Sequence, residues 1–470
     1  MSKAKIVRKI VIQTKLRTLS PLRIGSGEND GLTDILILKN KQGEPFIPGT
    51  SMAGVLRAGI SDIYGEETAE ALFGKVNGQN AAQSLVNISD VVLTSKGIVV
   101  RDGVAIDELT GVAKTGAKFD FEALERGATG DLTIEITIHQ QNVEKPVDLS
   151  YAHNAYAVKG DCYGELAATL ADLLTGGVSV GALTTKGYGK IAGKEAVRVY
   201  DFAFSEQKAA ERWLAYISEG RLTEPAYTGV AGSVKAAENF YLDVNCVLQG
   251  ALLIRNFDVD DAKQEGDATL SAVQLKSGED YVIPGTSWKG VLRSRAYKIL
   301  LQFTGYDEAV ARKYLNEIFG FANDKDKSGK RSKLSVEETY ISPHTLTAMR
   351  QTRNRIDRFT GSTIDSALFC EEPVWQRERG EQTITLKLCL KKCTQAEAGL
   401  LLLLLKDLWL GNMNIGSGKG IGRGALRGRS CAINYAGKAY SLSEEHGFTI
   451  QGDKNELEAC VQALVGELNG

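Results

Sequence analysis

Apolar and polar residues alternate through Ile6 to Arg17 and, less regularly, through Phe240 to Ile254, which is the period of a half-buried strand. After each stretch comes a turn rich in Gly or Asp and then a second strand-like run, Ile35 to Lys39 in one case and Ala272 to Lys276 in the other. Pro48-Gly49 and Pro284-Gly285 break the chain next. Behind them, Thr50 and Ser51, or Thr286 and Ser287, have the side chains of helix N-caps, ahead of helices carrying Val55 and Leu56, or Val291 and Leu292. More strands follow, then a Leu-rich helix from about Glu165 to Leu174, or Glu397 to Leu410, and finally a glycine loop. This order predicts an α+β fold with helices packed on mainly antiparallel sheets.

The pattern occurs twice because the sequence repeats. PFIPGTSMAGVLR runs from Pro45 to Arg57 and YVIPGTSWKGVLR from Tyr281 to Arg293, and Pro48 and Pro284 stand 236 residues apart, half the chain. Four landmarks follow in the same order. Leu72-Phe73-Gly74 answers Ile318-Phe319-Gly320, and Arg101 to Asp107 with Thr110-Gly111 answers Arg353 to Asp357 with Thr360-Gly361. The Leu-rich helices correspond, as do the glycine loops Thr185 to Lys190 and Gly416 to Gly424. An internal duplication predicts a first domain over 1–205, a linker with a short helix over 206–236, a second domain over 237–440 and a C-terminal extension over 441–470. A length of 470 residues fits, since single cores stop growing at about 250–300 residues.

Composition is that of a folded globular protein, 43% apolar and 24% charged. A net charge of −2 excludes a general polycation, so any nucleic acid must be held by local groups. Seven scattered cysteines, with Cys389 and Cys393 spaced CxxxC and no histidine nearby, indicate neither a disulfide framework nor a zinc site. The basic N-terminus alternates like a strand and lacks the apolar core of a signal peptide, and the run around Leu400 to Leu410 is short of the roughly 20 residues that span a bilayer. The expectation is a cytoplasmic protein without a membrane partner.

Candidate chemistry gathers at the repeated motifs. The loop Gly418 to Gly424 offers backbone N–H groups to a phosphate, with Lys419, Arg423 and Arg427 interleaved, although a tight hairpin with solvated cations uses the same residues. No P-loop spacing occurs. Ile47 to Ser51, with Gly54 and Arg57, places N–H groups, hydroxyls and an arginine at a helix start, and its twin adds Lys289 beside Arg293. One such copy reads most simply as a capped helix; retention of the polar set in two diverged copies favours an anion site.

Together, Arg23-Ile24-Gly25-Ser26-Gly27, an Asp in the next strand, Ile-Pro-Gly-Thr-Ser before a helix ending in Arg, Arg101 to Gly111, and the closing glycine loop resemble the RAMP superfamily. The likeness is nearest to the repeated backbone subunits of type III CRISPR complexes and covers almost the whole chain twice, as in the fused double subunits of type III-D variants. It implies two tandem modified ferredoxin-like, RRM-related domains with antiparallel sheets, helices and thumb hairpins. Such domains lay out a guide crRNA, and each thumb displaces one nucleotide of the guide–target duplex. Base pairing supplies sequence specificity, and the protein reads backbone and shape. The partners implied are guide crRNA, target RNA, other RAMP backbone subunits and a large signalling subunit.

The resemblance also assigns residues. Target-cleaving members require an aspartate upstream of Ile-Pro-Gly, which by position is Asp34; it implies metal-dependent endoribonuclease activity with a divalent metal, Mg2+, at Asp34. Counting back from Lys276 as from Lys39, the second copy has Ser271 there, and Asp267 is the nearest acid. RNA contacts are expected from Arg23, Ser51, Arg57, Lys186, Ser287, Lys289, Arg293, Arg353, Arg355, Lys419 and Arg423. Ala53, in place of Lys289, predicts weaker hold on the guide by the first copy. Asp107 and Asp357 are expected to close turns with Thr110 and Thr360. Alternatives are a non-catalytic RNA-binding subunit, a guide-processing RAMP endonuclease, disfavoured because no histidine falls in the matched motifs, and remotely a metabolic nucleotide enzyme.

Overall fold

The computed structural model describes residues 4–28, 33–77, 80–95, 97–110, 113–144, 149, 161–232, 238–256, 270–323, 328–365, 367–377, 384–444 and 447–469. The chain forms two compact units. Unit 1 comprises Met1–Gly103, Lys118–Thr184 and Tyr188–Ala236; unit 2 comprises Val104–Ala117, Thr185–Gly187 and Ala237–Gly470.

Unit 1 runs β1 (Ile6–Thr18), α1 (Gly49–Tyr64), α2 (Glu66–Phe73), β2 (Val86–Ile88), β3 (Ile98–Ile106) as far as Gly103, β4 (Ala113–Leu124) from Lys118 on, β5 (Thr129–His139), α3 (Cys162–Gly176), β6 (Lys190–Gly193), β7 (Arg198–Ala203), α4 (Gln207–Glu219) and β8 (Tyr227–Thr228). β1 is central, antiparallel to β5 on one side and to β6 and β7 on the other, and β2 lies beyond β5. Alternation sends Ile10, Ile12 and Leu16 of β1 to one face, where they share a core with Met52, Leu56 and Ile60 of α1 and Leu166, Leu170 and Leu174 of α3. Val11 faces the other way and is covered with Tyr200 and Phe202 by Trp213 and Tyr216 of α4.

Unit 2 contains β9 (Phe240–Gln249), α5 (Gly285–Phe303), α6 (Glu308–Phe319), β10 (Leu334–Val336), β11 (Phe369–Glu372), β12 (Ile384–Leu390), α7 (Gln395–Trp409), β13 (Ala425–Tyr435), β14 (Lys438–Ser443), β15 (Thr449–Gln451) and α8 (Lys454–Asn469). Its main sheet has the order β10-β12-β9-β13-β14-β15. In both units the strands of a β-α-β-β-α-β unit lie in the order second, third, first, fourth, which is the ferredoxin-like arrangement. Thr394 and Glu397 form a reciprocal capping box on α7. Gly399 lets α8 approach α7 closely, since a Cβ there would sit 2.2 Å from the Cys460 carbonyl oxygen.

Four expectations change. Residues 35–39 make isolated bridges, Ile37 with Gly25 and Lys39 with Pro45, because Glu122 serves this backbone directly: its carboxylate accepts from Ile37 N–H at 3.0 Å and its N–H donates to Ile35 O at 2.9 Å. The stretch from Phe240 is cut at Gly250, whose φ of +90° ends β9 before a two-residue strand, Ala251–Leu252. The helix caps are Pro48 and Pro284, with Thr50, Ser51, Thr286 and Ser287 inside the first turn, and Asp90 Oδ1 accepts the Gly49 N–H at 2.7 Å. Residues 206–236, read as a linker with a short helix, do carry that helix as α4, but α4 and β8 belong to unit 1, where buried Asp172 accepts from Tyr227 Oη at 2.8 Å and Val230 N–H at 2.7 Å. Among the described residues no helix is long and apolar enough to cross a membrane.

Candidate nucleic-acid interface

The glycine loops close each unit by the same device. Gly189 and Gly424 have φ of +73° and +72°, and a Cβ would fall 1.9 Å from Val180 O and 1.7 Å from Ile415 O. Val180 and Ile415 in turn donate N–H bonds to these glycines' carbonyls, at 2.9 and 2.8 Å. Only glycine fits such a crossing, and it sets the residue before it: Tyr188 in unit 1 and Arg423 in unit 2.

Arg423 is buried rather than solvated. Its Nη1 donates to Glu371 at 2.8 Å and its Nη2 to Gln351 at 2.8 Å. Glu371 also accepts from Arg255 at 2.8 Å and from Arg353, so three guanidiniums converge on one buried carboxylate. Burial opposes ionisation of Glu371, but the hydrogen bonds from Arg423 and Arg255 outweigh it and hold its carboxyl below the usual range.

Unit 1 is wired differently at the same place. Leu22 bridges Leu124 as Leu252 pairs with Val374, and three residues before these partners stand Phe121 and Glu371. Unit 1 thus has an aromatic ring where unit 2 has the carboxylate. The Arg23 guanidinium lies 4.5 Å over the Phe121 ring, which packs edge-on against Tyr188 at 5.7 Å. Arg101, the counterpart of Arg353, is 5% exposed, and its Nη1 and Nη2 meet no acceptor among the described residues; neither does Nε of Arg23, itself 8% exposed. Arg101 shares a face of β3 with Val99, which packs in the Phe121 cluster, and with Gly103, where a Cβ would meet the Phe119 ring at 2.3 Å. Burial lowers the pKa of Arg23.

Asp34 sits at the edge of this cluster's strand. Its N–H donates to Asp120 Oδ1 and its Oδ2 accepts the Asp120 N–H, each at 3.0 Å. In unit 2, Ser271 Oγ donates to Cys370 O at 2.7 Å, and Cys370 precedes Glu371 as Asp120 precedes Phe121. The match of Ser271 to Asp34 therefore holds in three dimensions, with no carboxylate at either unit 2 position. Asp267 lies outside the described residues. Among the described residues no group of three or more His, Cys, Asp or Glu is arranged to hold a metal. Asp34 and Asp120 use one oxygen each on the other's backbone, and a pair of carboxylate oxygens suits a magnesium ion that keeps most of its water.

Several other expected contacts are spent within the fold. Lys289 is 6% exposed and donates to Leu334 O at 2.8 Å and Thr185 O at 3.2 Å, so its replacement by Ala53 is a packing difference. Burial, with Lys186, Arg293 and Arg331 nearby, brings its pKa down to about 7. Arg57 and Arg293 donate to Gly74 O at 2.9 Å and Gly320 O at 2.8 Å, tying each helix to the glycine that ends the next. Ser51 and Ser287 are half-buried in first turns whose N–H groups return to Pro48 and Pro284. Lys186 is half-buried in a short turn, while Arg355 and Lys419 are exposed. Asp107 and Asp357 close turns as expected: each Oδ1 accepts from two backbone N–H groups and from Thr110 or Thr360 Oγ1.

Arg255, Asp120 and Glu371 escape a sequence reading. The signal available is the strand pair Phe119-Asp120-Phe121 and Phe369-Cys370-Glu371, too diverged to stand out beside the Pro-Gly motifs. Compared with known families, the model of the RAMP superfamily matches residues 15–192 and again 221–427. No curated protein matches the chain.

Proposed function

This chain belongs to the RAMP superfamily and carries two copies of its domain, and from that premise we propose that it is a guide-RNA-binding backbone subunit of a type III CRISPR ribonucleoprotein that cleaves guide-complementary RNA from unit 1. RAMP proteins are CRISPR-associated RNA binders, so RNA is the ligand class to which the cationic groups are matched. The supporting observation is the buried Arg101, whose terminal nitrogens find no acceptor among the described residues. An unpaired buried charge costs several kcal/mol unless an anion completes it. A phosphodiester is the anion an RNA strand supplies, and Arg23 on Phe121 adds a second cation with an aromatic face.

Cleavage is assigned to unit 1. Asp34 and Asp120 would hold a divalent cation, Mg2+ by its taste for oxygen ligands, and when bound it supplies positive charge where the scissile phosphate develops negative charge. The reciprocal hydrogen bonds keep both carboxylates oriented before substrate arrives. Unit 2, with Ser271 and Cys370, binds without cutting in this reading. Guide crRNA, target RNA, neighbouring RAMP subunits and a large signalling subunit complete the proposed cytoplasmic complex.

The test is D34A in a complex assembled with guide. Lost cutting at one set of target positions, with guide and target still bound, is the expected result. Unchanged cutting removes the catalytic assignment, and failure of the wild-type chain to retain any guide removes the whole reading.

A further inference from the structure

The two units carry one cationic position in common and treat it oppositely. Arg353 lies across from Phe369 on the paired strand Gln351–Arg353, with its guanidinium 5.5 Å over a ring that is 36% exposed. In unit 1, Arg101 on β3 stands beside β4 and its Phe119, whose ring is 39% exposed. The charge on the arginine is not handled alike. Arg353 donates to Glu371, two residues on from Phe369. Phe121, two residues on from Phe119, offers no acceptor, and both terminal nitrogens of Arg101 lack one among the described residues.

In unit 2 the cations and the carboxylate come together. Arg423 stands where unit 1 has Tyr188, each just before the crossing glycine. Arg255 stands where unit 1 has Gly25, since Gly25 bridges Ile37, three residues after Asp34, and Arg255 pairs with Gln274, three residues after Ser271. Unit 1 has neither of these arginines and has no carboxylate at the place of Glu371.

Glu371 thus accepts from three guanidiniums on three separate segments. Three positive charges face one negative charge, an excess that an internal ion pair would not need. Arg423 is as buried as Glu371, but Arg353 and Arg255 keep part of their side chains exposed, so the cluster reaches the surface on one side. A carboxylate presents two oxygens sharing one negative charge, as a phosphodiester does with its two non-bridging oxygens, and guanidinium forks fit both.

We propose that Glu371 is a built-in anion: it fills in unit 2 the anion site that unit 1 leaves open at Arg101, and so confines phosphate capture at this position to unit 1. The exchange of Phe121 for Glu371 decides which unit accepts an external anion. Naming that anion as an RNA phosphodiester rests on the proposed function; the exchange itself does not.

The experiment uses the full-length chain, with inorganic phosphate against chloride at matched ionic strength as the probe. Phosphate should raise the melting midpoint of wild type, do little for R101M, and regain its effect in R101M/E371A, where the oxygen positions facing three arginines are vacated. A short single-stranded RNA should follow the same order, bound about tenfold more weakly by R101M and about tenfold more tightly again by R101M/E371A. The converse variant decides the matter should E371A fail to fold. F121E sets a carboxylate beside Arg23, whose guanidinium is 4.5 Å from the present ring, and beside Arg101, and should lose phosphate as R101M does. Wild type indifferent to phosphate, a folded R101M/E371A that takes up none, or F121E that responds like wild type overturns the proposal. RNA binding absent from every chain, with the phosphate pattern intact, would remove the RNA reading and leave the built-in anion standing.

Discussion

Asp34 and Asp120 hold each other in place: the backbone N–H of each donates to the carboxylate of the other, both at 3.0 Å. Eighty-six residues separate them, so the pair exists only because β4 runs beside the loop that carries Asp34. If both carboxylates hold the cation, D120N should lower target cleavage by at least tenfold at limiting Mg2+ and recover part of it at high Mg2+, while target binding stays the same. Cleavage rates across a magnesium titration check this; wild-type rates throughout would leave Asp34 acting alone.

Arg101 and stability should move in opposite directions. R101M removes a buried guanidinium that lacks acceptors for two nitrogens, so the free chain should melt at the same or a higher temperature. The same variant should bind RNA about tenfold more weakly, with a salt dependence shallower by about one phosphate contact. Melting and filter binding at several salt concentrations read both effects.

Glu371 neutralises three arginines, of which Arg423 is buried while Arg353 and Arg255 are partly exposed. E371Q should cost roughly 3 kcal/mol of stability, seen as a lower denaturant midpoint, because it leaves the buried Arg423 without its counter-charge and with two further guanidiniums beside it. The equivalent change in unit 1, F121L, creates no unpaired charge and should cost less.

Lys289 predicts a pH dependence. Its pKa is about 7 in the folded chain, against about 10.4 for an unfolded lysine. Between those values the unfolded chain binds the extra proton, so stability should rise as pH increases from 7 toward 10. K289M should flatten that rise, measured as denaturant midpoints across the window.

G424A should unfold or loosen unit 2 more than substitution of an exposed loop glycine such as Gly420, since its Cβ would overlap the Ile415 carbonyl at positive φ. Loss of the Arg423 to Glu371 contact should accompany it. Midpoints of G424A and G420A compare the two.

Much of this architecture was legible along the chain. The alternation of Ile10, Ile12 and Leu16 and the spacing of Met52, Leu56 and Ile60 already state which faces are buried, because strand and helix periods are local properties of the backbone. The repeated Pro-Gly, Phe-Gly and glycine-loop landmarks state that the fold occurs twice, and Asp107 with Thr110 and Asp357 with Thr360 state their own turns, since the partners are three residues apart. Tertiary structure alone decided the fate of the cations. Lys289, Arg293 and Arg423 look alike in a sequence, yet their charges end on carbonyls and on carboxylates distant in the chain, Glu108 and Glu371, while Arg101 ends on nothing in the described fold. Whether a charge is neutralised depends on what long-range pairing brings within about 3 Å, and no local pattern encodes that distance.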